Sequence, residues 1–315
     1  MTREFPFPLP TGWFHVAYAE ELSADGIRPL HYFDRDLIAF RDAAGRARVL
    51  DAHCPHLGAH LGHGGEIVEG GRVRCPFHHW EFDGDGMCTR VPYAEKIPPK
   101  ARLRSWPVEE KNGCVYVYFD EPGREPGFVV PEVAEHDSPE WTRPIRRDWV
   151  VRSCAQEMAE NSVDPAHFRS VHRTAGVPQV KAWAEGPVFR ANLDYPVTID
   201  DAVQHGSIDI YAHGLGMGVS YFRGIVETVV LVSGTPIDTG RVHHRLGFFV
   251  KKTDSEELTQ RVAEAFSSEI SRQFDEDIPI WENKIYHERP VLSEGDGPIG
   301  EIRRWARQFY AADGE

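Results

Sequence analysis

The chain has 315 residues, of which 27% are charged and 41% hydrophobic, a composition typical of folded globular proteins and not of disordered or collagenous ones. This length accommodates one large domain or two ordinary ones, each with its own core. Acidic residues number 49 against 35 basic ones, a formal net charge of −14, so nucleic acids and anionic membranes are poor candidate partners.

Signals for targeting and cross-linking are weak. No stretch reaches the roughly 18 apolar residues of a membrane span, and the first ten residues, MTREFPFPLP, contain no apolar leader segment. We therefore expect a cytoplasmic protein without a membrane span. An odd number of cysteines argues against a disulfide framework and favours metal binding or burial for Cys54, Cys75, Cys88, Cys114 and Cys154.

The first 120 residues have the pattern of a β domain. Short runs at 47–50, 72–74 and 115–119 are separated by clusters of Gly, Asp and Pro, as in strands joined by turns. The Pro- and Gly-rich stretch 121–131 reads as a linker. We predict a domain boundary near residue 122, which gives domains 1–122 and 123–315.

The second half mixes helices and strands. A helix is predicted over 152–161, before Pro165 interrupts the pattern, and alternation predicts strands at 207–211, 225–232 and 242–250. A capping pattern at 253–256 opens a helix to about residue 274, with apolar side chains at Leu258, Val262, Phe266 and Ile270. A last helix is expected over 299–311. The predicted fold class is α+β, an all-β domain followed by a domain of antiparallel sheet and helices.

Two short motifs in the β domain each pair a cysteine with a histidine. They are Cys54-Pro55-His56 and Cys75-Pro76-Phe77-His78. Thiolate and imidazole ligands suit a tetrahedral zinc or a [2Fe–2S] cluster. One cysteine and one histidine on each loop is the pattern expected when one iron takes both thiolates and the other takes both imidazoles. Chance burial of cysteines beside surface histidines explains one such pair better than two.

The surrounding segments, CPHLGAHLGHGG at 54–65 and CPFHHWEFDGDG at 75–86, resemble the two loops of a Rieske domain. The resemblance implies a [2Fe–2S] cluster held by Cys54, His56, Cys75 and His78. It assigns no ligand role to the neighbouring histidines His53, His60, His63 and His79. Cys88 and Cys114 have no partner by spacing, and we expect them to serve in packing.

A second group of candidate ligands lies in the segment 160–172, which holds Asp164, His167 and His172. Two histidines five positions apart diverge by about 140° on a regular helix, so one straight helix would not present both to a metal. Pro165 breaks that helix. A two-histidine, one-carboxylate iron site also needs an acidic ligand, and spacing alone does not choose among Asp275, Glu276 and Asp277.

The pattern N-x2-D-x2-H-x4-H of segment 161–172 is similar to the iron-binding segment of Rieske non-haem iron oxygenases. The D-x-x-I-W segment at 277–281 and the C-terminal stretch 296–310 resemble their steroid-acting branch, which includes 3-ketosteroid 9α-hydroxylase and the Neverland-type cholesterol desaturases. The resemblance implies a helix-grip, START-like catalytic domain. It further implies a mononuclear Fe(II) held by His167, His172 and Asp277.

The same resemblance assigns roles to two further residues. Asp164 would connect an iron-ligand histidine to His78 of a neighbouring subunit, which implies a head-to-tail homotrimer. Asn161 would support the site without holding the metal.

The implied activity is O2-dependent oxidation of a C–H position in a sterol or steroid, by hydroxylation, methyl oxidation with demethylation, or desaturation. Three alternatives stay open at this stage: the same chemistry on another polycyclic or aromatic substrate, a Rieske electron carrier, and a zinc-stabilised binding module. The sequence has no G-x-G-x-x-G fingerprint opening a βα unit and no plant-type ferredoxin motif. We therefore expect NAD(P)H to supply electrons indirectly, through a separate ferredoxin or flavin reductase.

The substrate pocket is expected to lie between the 187–250 strands and the segment after His172. The apolar candidates for its walls are Val177, Val180, Trp183, Tyr211, Met217, Val219 and Phe222.

Overall fold

The structure, a computed structural model, describes residues 5–174, 176–199, 202–224 and 226–310. It contains two compact units, Trp13–Val130 and a second one formed by Met1–Gly12 with Pro131–Glu315. The N-terminal segment belongs to the second unit because Thr11 donates a backbone hydrogen bond to Phe309 at 2.6 Å and Phe7 stacks on Tyr310. The domain boundary that composition indicates near residue 122 stays a prediction.

The first unit contains three small antiparallel sheets. Their orders are β1-β11-β10, β2-β3-β4-β9 and β5-β6-β7-β8. In the described part of this unit the strands, in chain order β1 to β11, are Gly12–Tyr18, Arg28–Tyr32, Arg35–Arg41, Ala47–Asp51, Glu66–Val68, Arg72–Arg74, Glu81–Phe82, Cys88–Arg90, Ser105–Trp106, Val108–Lys111 and Cys114–Phe119. The strands predicted at 47–50, 72–74 and 115–119 lie within β4, β6 and β11.

One core of this unit lies directly beneath the two Cys–His motifs. Its buried members include Phe40, Leu50 and Phe82, and also Cys54 and Cys75, which are 2% and 1% exposed. The motif cysteines therefore point into the core, and the loops that carry them are fixed by apolar packing.

The second unit is built on a seven-stranded antiparallel sheet of order β12-β18-β17-β16-β15-β14-β13. Its strands, in chain order β12 to β18, are Ile145–Val151, Gln179–Glu185, Val188–Ile199, Ala202–His213, Met217–Arg223, Thr228–Asp238 and Arg241–Val250. The strands predicted at 207–211 and 242–250 lie within β15 and β18. The strand predicted at 225–232 overlaps β17, and its first residue, Ile225, lies outside the described residues.

Four α-helices accompany this sheet in the described part of the chain: α1 Ala155–Asn161, α2 Ala166–Ser170, α3 Glu256–Trp281 and α4 Ile299–Ala306. A 3-10 turn, Arg307–Phe309, continues α4, and Ala311, the predicted end of that helix, lies outside the described residues. Over the residues that the structure describes, no helix has both the length and the apolar character needed to cross a membrane.

The long helix α3 differs from its prediction at both ends. Its N-cap is Ser255, whose hydroxyl accepts from the backbone N–H of Leu258, whereas the predicted capping pattern began at Thr253. The helix continues beyond residue 274 to Trp281, because Asp277 and Trp281 stay on its buried face.

The buried stripe of α3 also begins with small residues, Thr259, Ala263 and Ser267, and not with the apolar series predicted from spacing. Leu258, the first residue of that series, is 48% exposed. Small side chains let the helix approach its neighbours closely, and the adjacent Phe266 and Ile270 pack against a core cluster of the sheet.

Candidate active site

Each Cys–His motif forms a tight turn closed by backbone hydrogen bonds. In the first motif the N–H of Gly58 donates to Cys54 O, and the N–H of Cys54 donates to Ala59 O, both at 2.9 Å. The second motif repeats this closure, since the N–H of Cys75 donates to Trp80 O at 2.8 Å. Gly58 has φ +77°, in the left-handed region that favours glycine, so the residue is needed for the turn.

The two histidines of these motifs lie together above the buried cysteines. The rings of His56 and His78 have centroids 4.6 Å apart, and His56 also stacks on Trp80 at 4.6 Å. Among the described residues, Nδ1 of His56 is buried and has no hydrogen-bond partner. A sealed imidazole nitrogen of this kind is well suited to coordinate a metal.

The motif cysteines have the properties of metal ligands and not of disulfide partners. All five cysteines are buried, and none of them forms a disulfide. Burial raises the pKa of the Cys54 thiol to about 12, and Cys75 contributes to the rise. A thiol so resistant to ionisation becomes a thiolate only when a bound metal displaces the proton. Two buried thiols and two imidazoles fit a [2Fe–2S] cluster with mixed ligands.

In the second unit, the helix break predicted at Pro165 brings two histidines together. Helix α1 ends at Asn161, Pro165 caps α2, and α2 is so short that His172 lies beyond its end. The rings of His167 and His172 are consequently 5.0 Å apart and nearly perpendicular.

Asp277 completes this group from the last turns of α3. One ligand atom from each of His167, His172 and Asp277 lies within 4.8 Å of the others, and Nε2 of His172 is 3.4 Å from an Asp277 oxygen. Asp277 and His172 are 5% and 7% exposed. We call these three residues the triad.

The hydrogen bonds on Nδ1 of the two histidines orient Nε2 of each ring toward the centre of the triad. Nδ1 of His167 donates to the backbone oxygen of Asp164 at 2.6 Å, and Nδ1 of His172 donates to a Glu276 oxygen at 3.2 Å. A carbonyl or carboxylate on the outer nitrogen fixes the tautomer that presents the inner nitrogen to a metal. Two imidazoles and one carboxylate in this arrangement suit Fe(II) with open coordination positions.

The two histidines differ in their affinity for protons. Burial lowers the pKa of His167, although the charges of Asp277 and Asp164 oppose this effect. Burial acts in the same direction on His172, but hydrogen bonds and charge from Asp277 and Glu276 outweigh it and raise its pKa.

The structure also locates the two residues assigned supporting roles. The Asn161 amide lies between two members of the triad, with its Nδ2 3.3 Å from Asp277 Oδ2 and 3.5 Å from His167 Nε2. Asp164 accepts from the N–H of Ala166 at 3.0 Å, as an ordinary turn cap would, and its side chain is 39% exposed.

Glu276 contacts the triad, although the sequence does not distinguish it from its neighbours. It is one of three consecutive acidic residues, of which two are expected to be solvated. In the structure it bridges His172 and Arg272, while Asp275 accepts a hydrogen bond from Trp149 at 2.8 Å. In the sequence, only its position next to Asp277 indicates a role for Glu276. Spacing does not distinguish a metal ligand from a residue that hydrogen-bonds to a metal ligand.

The C-terminal helix α4 anchors the helix that leads into the triad. Arg303 holds Glu160 of α1 through two hydrogen bonds of 3.0 and 2.8 Å, and Trp305 packs against Phe189. Glu160 precedes Asn161, so this buried ion pair fixes α1 where it ends beside the triad.

The triad lies in the wall of an apolar chamber between the sheet and α3. This chamber has a volume of about 200 Å³, and an adjoining one of about 210 Å³ shares Phe168, Ile208, Phe222, Ile270 and Gln273 with it. Each volume alone is below the roughly 300–1,000 Å³ typical of ligand pockets, whereas the two together fall within that range.

Part of the chamber wall lies on the strands where the sequence predicts the substrate pocket. Phe222 lines both chambers, and several further wall residues lie on the 187–250 strands, as expected. Val177 and Trp183, two of the other predicted wall residues, are 43% and 45% exposed. Helix α3 adds Phe266 to one chamber and Phe274 to the other.

Comparison with known families agrees with both metal-binding patterns. Residues 12–107 match the Rieske [2Fe–2S] domain family, and residues 117–310 match the 3-ketosteroid 9α-hydroxylase C-terminal domain family. The chain belongs to the Rieske non-haem iron oxygenases.

Two relatives show how far this similarity extends. The oxygenase component of a 3-ketosteroid-9α-monooxygenase from Rhodococcus rhodochrous is 30% identical over 97% of this chain and 82% of its own length. A cholesterol 7-desaturase from Ciona intestinalis is 31% identical over 98% of this chain and 70% of its own length.

Solved structures support the same fold. NdmA of Pseudomonas putida CBB5 with caffeine aligns with a TM-score of 0.78 at 22% identity, over 94% of this chain and 89% of its own. Apo dicamba monooxygenase aligns with a TM-score of 0.74 at 18% identity, over 97% and 98%. The predicted α+β fold, with a Rieske domain and an antiparallel catalytic domain, is confirmed.

Family membership also decides between the functional classes. This Rieske oxygenase is an enzyme that uses a Rieske [2Fe–2S] cluster and a mononuclear iron, with electrons supplied by a reductase. The alternatives of a simple electron carrier and a zinc-stabilised module do not account for the match to the C-terminal catalytic family.

Proposed function

We propose that this Rieske oxygenase oxidises a C–H position of a steroid or sterol. The observation that carries the proposal is the position of the triad in the wall of an apolar chamber. The two relatives, named for a ketosteroid and for cholesterol, support the substrate class. Hydroxylation, methyl oxidation and desaturation all begin with attack on a C–H bond, so the product decides among them.

We propose that the residues matching the two motifs hold the cofactors. Cys54, His56, Cys75 and His78 would hold the cluster, and the triad would hold Fe(II). The cluster supplies a stored electron, and the iron supplies the capacity to activate O2.

The protein groups around the triad orient its side chains and exclude water from the reaction site. Asp164 O and Glu276 fix the outer nitrogens of the two histidines, and Asn161 holds the Asp277 carboxylate. The apolar chamber walls bind a hydrophobic skeleton and exclude water from the reacting C–H bond.

The direct test is a product analysis. The holoenzyme is reduced anaerobically, a mixed sterol and steroid panel is added, O2 is admitted, and product masses are measured. We expect a gain of one oxygen for hydroxylation, further oxidation or loss of a methyl carbon for demethylation, or a loss of two hydrogens for desaturation. A sample that contains both metal centres, turns over aromatic or other polycyclic compounds and ignores every steroid would contradict the proposed substrate class.

We further propose that Asp164 couples two subunits in a head-to-tail homotrimer. Its backbone oxygen already holds His167, and its partly exposed carboxylate is available to His78 of a second copy. Asp164→Asn should retain both metals yet lose most turnover, because the neutral amide is a weaker partner for an imidazole N–H. Metal content, light scattering and coupled turnover measure this. A monomer of full activity, or unchanged turnover in the variant, would refute the bridge.

A separate reductase and a cytoplasmic location complete the proposal. The family's use of reductase-supplied electrons supports a ferredoxin or flavin reductase as the partner that draws on NAD(P)H. The five cysteines are buried without forming disulfides, which supports a reducing compartment.

A further inference from the structure

His244 is a polar residue of the chamber wall that does not belong to the triad. His244 of β18 lines the chamber, is 8% exposed, and stacks on Phe274 with ring centroids 4.6 Å apart and planes 20° from parallel. Phe274 in turn packs on Trp149 and Trp281. The imidazole is therefore held in a fixed plane by an aromatic cluster.

The two nitrogens of this ring have different surroundings. Nδ1 of His244 is fully buried and, within the described part of the chain, has no hydrogen-bond partner. It lies over the backbone of Gly234, the cross-strand neighbour, where an added methyl group would be 3.6 Å away. Because Nδ1 is sealed, Nε2 is the polar atom that the ring can offer to the chamber.

The charge state and tautomer of His244 follow from this burial. Burial, with His243 and Arg245 nearby, lowers the pKa of His244 to about 3, so the ring is neutral and has a single N–H. A buried N–H without an acceptor is among the rarest arrangements in proteins, and it costs about 1–3 kcal/mol. The proton is therefore assigned to Nε2, the ring nitrogen that is not sealed.

Three of the other polar side chains of the chamber already have partners. Ser162 donates to Ala159 O at 2.7 Å, Gln273 donates to Glu269 at 2.9 Å, and Asn161 contacts the triad. A neutral N–H can donate to an uncharged oxygen, and the mostly apolar walls of the chamber favour a ligand without charge.

From these observations we propose that His244 sets substrate specificity by donating a hydrogen bond from Nε2 to an oxo group of the polycyclic substrate. This inference rests on the proposed function and adds to it the residue that recognises an oxo group of the substrate. A hydrocarbon skeleton alone would leave the Nε2–H without a partner in an apolar chamber, a penalty that distinguishes the ketone from its deoxygenated counterpart.

The test compares ligands that differ by one oxygen. Dissociation constants are measured by calorimetry on the anaerobic holoenzyme for a 3,17-diketosteroid and for the two analogues in which one oxo group is replaced by methylene. We expect the wild type to bind the diketone about 5–30-fold more tightly than one of these analogues. This first comparison needs no variant.

Two variants then locate the effect. His244→Phe keeps the aromatic stack and removes the donor, so the preference should fall to about one while affinity for the deoxygenated analogue changes little. His244→Gln restores a donor and should recover part of the preference. The control is His213→Phe on β15, another histidine whose pKa burial and Arg190 lower, to about 4, and it should keep the full preference.

The outcomes separate the two proposals. Wild-type binding of all three steroids with equal affinity, or a preference that survives in His244→Phe, overturns the inference and leaves the proposed function standing. If His244→Phe weakens all three ligands equally, the ring acts only in packing, which also overturns the inference. A wild-type holoenzyme that binds no steroid overturns the proposed function, and the inference with it.

Discussion

The two candidate metal centres of this oxygenase are built in different ways. All four cluster ligands lie within residues 54–78, on two turns that each close on their own backbone. The triad draws its ligands from α2, from the turn after it and from α3, with the strands β13–β18 between them along the chain. The first centre is thus mainly a local structure over a core, whereas the second exists only when a long helix packs correctly beside the sheet.

This difference predicts how each centre responds to damage. Loss of one cluster ligand should also disturb the core of its unit, because Cys54 and Cys75 are core residues. Loss of a triad ligand should spare the fold, since helix and sheet are held by many other contacts. The following predictions test that contrast.

Cys75→Ser should have the largest effect. It removes a thiolate ligand and places a hydroxyl in a core position that is 1% exposed, so the cluster should be lost and turnover abolished. Acid-labile sulfide and visible absorbance should disappear, while about one iron per chain stays at the triad. Cys88→Ser is the matched control, since Cys88 is also buried but lies outside both motifs. A cluster retained in Cys75→Ser would contradict the assignment.

Asp277→Ala should abolish turnover without affecting the cluster. The two remaining imidazoles bind Fe(II) weakly, so iron should fall by one per chain while sulfide and the melting temperature stay close to wild type. Asp275→Ala is the control, because Asp275 lies two positions away on α3 and, among the residues that the structure describes, accepts a side-chain hydrogen bond from Trp149 alone. If the control lost iron, or if Asp277→Ala retained it, the carboxylate ligand would be another residue of α3.

The same contrast explains what the sequence could predict. The cluster ligands could be found from spacing, because donors on closed turns are close in sequence and in space. The two triad histidines needed one further fact, the break at Pro165. The carboxylate could not be derived, since three consecutive acidic residues project about 100° apart on a helix and only packing decides which one faces inward. The resemblance to a known family supplied that choice.

The chamber walls were hard to predict for a similar reason. Periodicity in α3 indicated an apolar series, but small residues took the most buried positions and left Phe266 and Ile270 partly buried, at the cavity walls. His244 carried no sequence signal, because a lone histidine in a strand is most often ordinary packing. Its significance depends on which of its nitrogens is sealed, and only the structure shows that.

Glu276→Gln should have an intermediate effect on the second centre. The amide keeps the size of the side chain but weakens the hold on Nδ1 of His172, so iron affinity should fall about 10–100-fold with the fold intact. Competition with a chelator measures this. Glu282→Gln serves as control, because Glu282 accepts from Arg152 and contacts no triad residue. Equal affinities in both variants would show that His172 needs no carboxylate partner.

The first unit also has a supporting carboxylate, but this one holds strands and not a ligand. Glu81 of β7 has a side chain that is 1% exposed and lies 2.7–3.2 Å from the guanidinium groups of Arg72, Arg74 and Arg90. These arginines lie on β6 and β8, so the cluster of charges ties together the strands on either side of the second Cys–His motif. Glu81→Gln should cost about 1.5–3 kcal/mol of unfolding free energy.

The loss of unfolding free energy in Glu81→Gln, the smallest of the predicted effects, should depend on pH. Although burial opposes ionisation, the arginines hold the native pKa of Glu81 below its ordinary value of 4.5. Its contribution to stability is therefore complete above the unfolded pKa and is lost as pH falls through the lowered native pKa. In denaturant unfolding, the gap between wild type and Glu81→Gln should be constant above about pH 5 and shrink below pH 4.5. The control is Glu66→Gln, which removes an exposed partner of Arg74 and should differ little from wild type in unfolding free energy at every pH. If the difference between wild type and Glu81→Gln grew in acid, the pKa of Glu81 would be raised in the native state and not lowered.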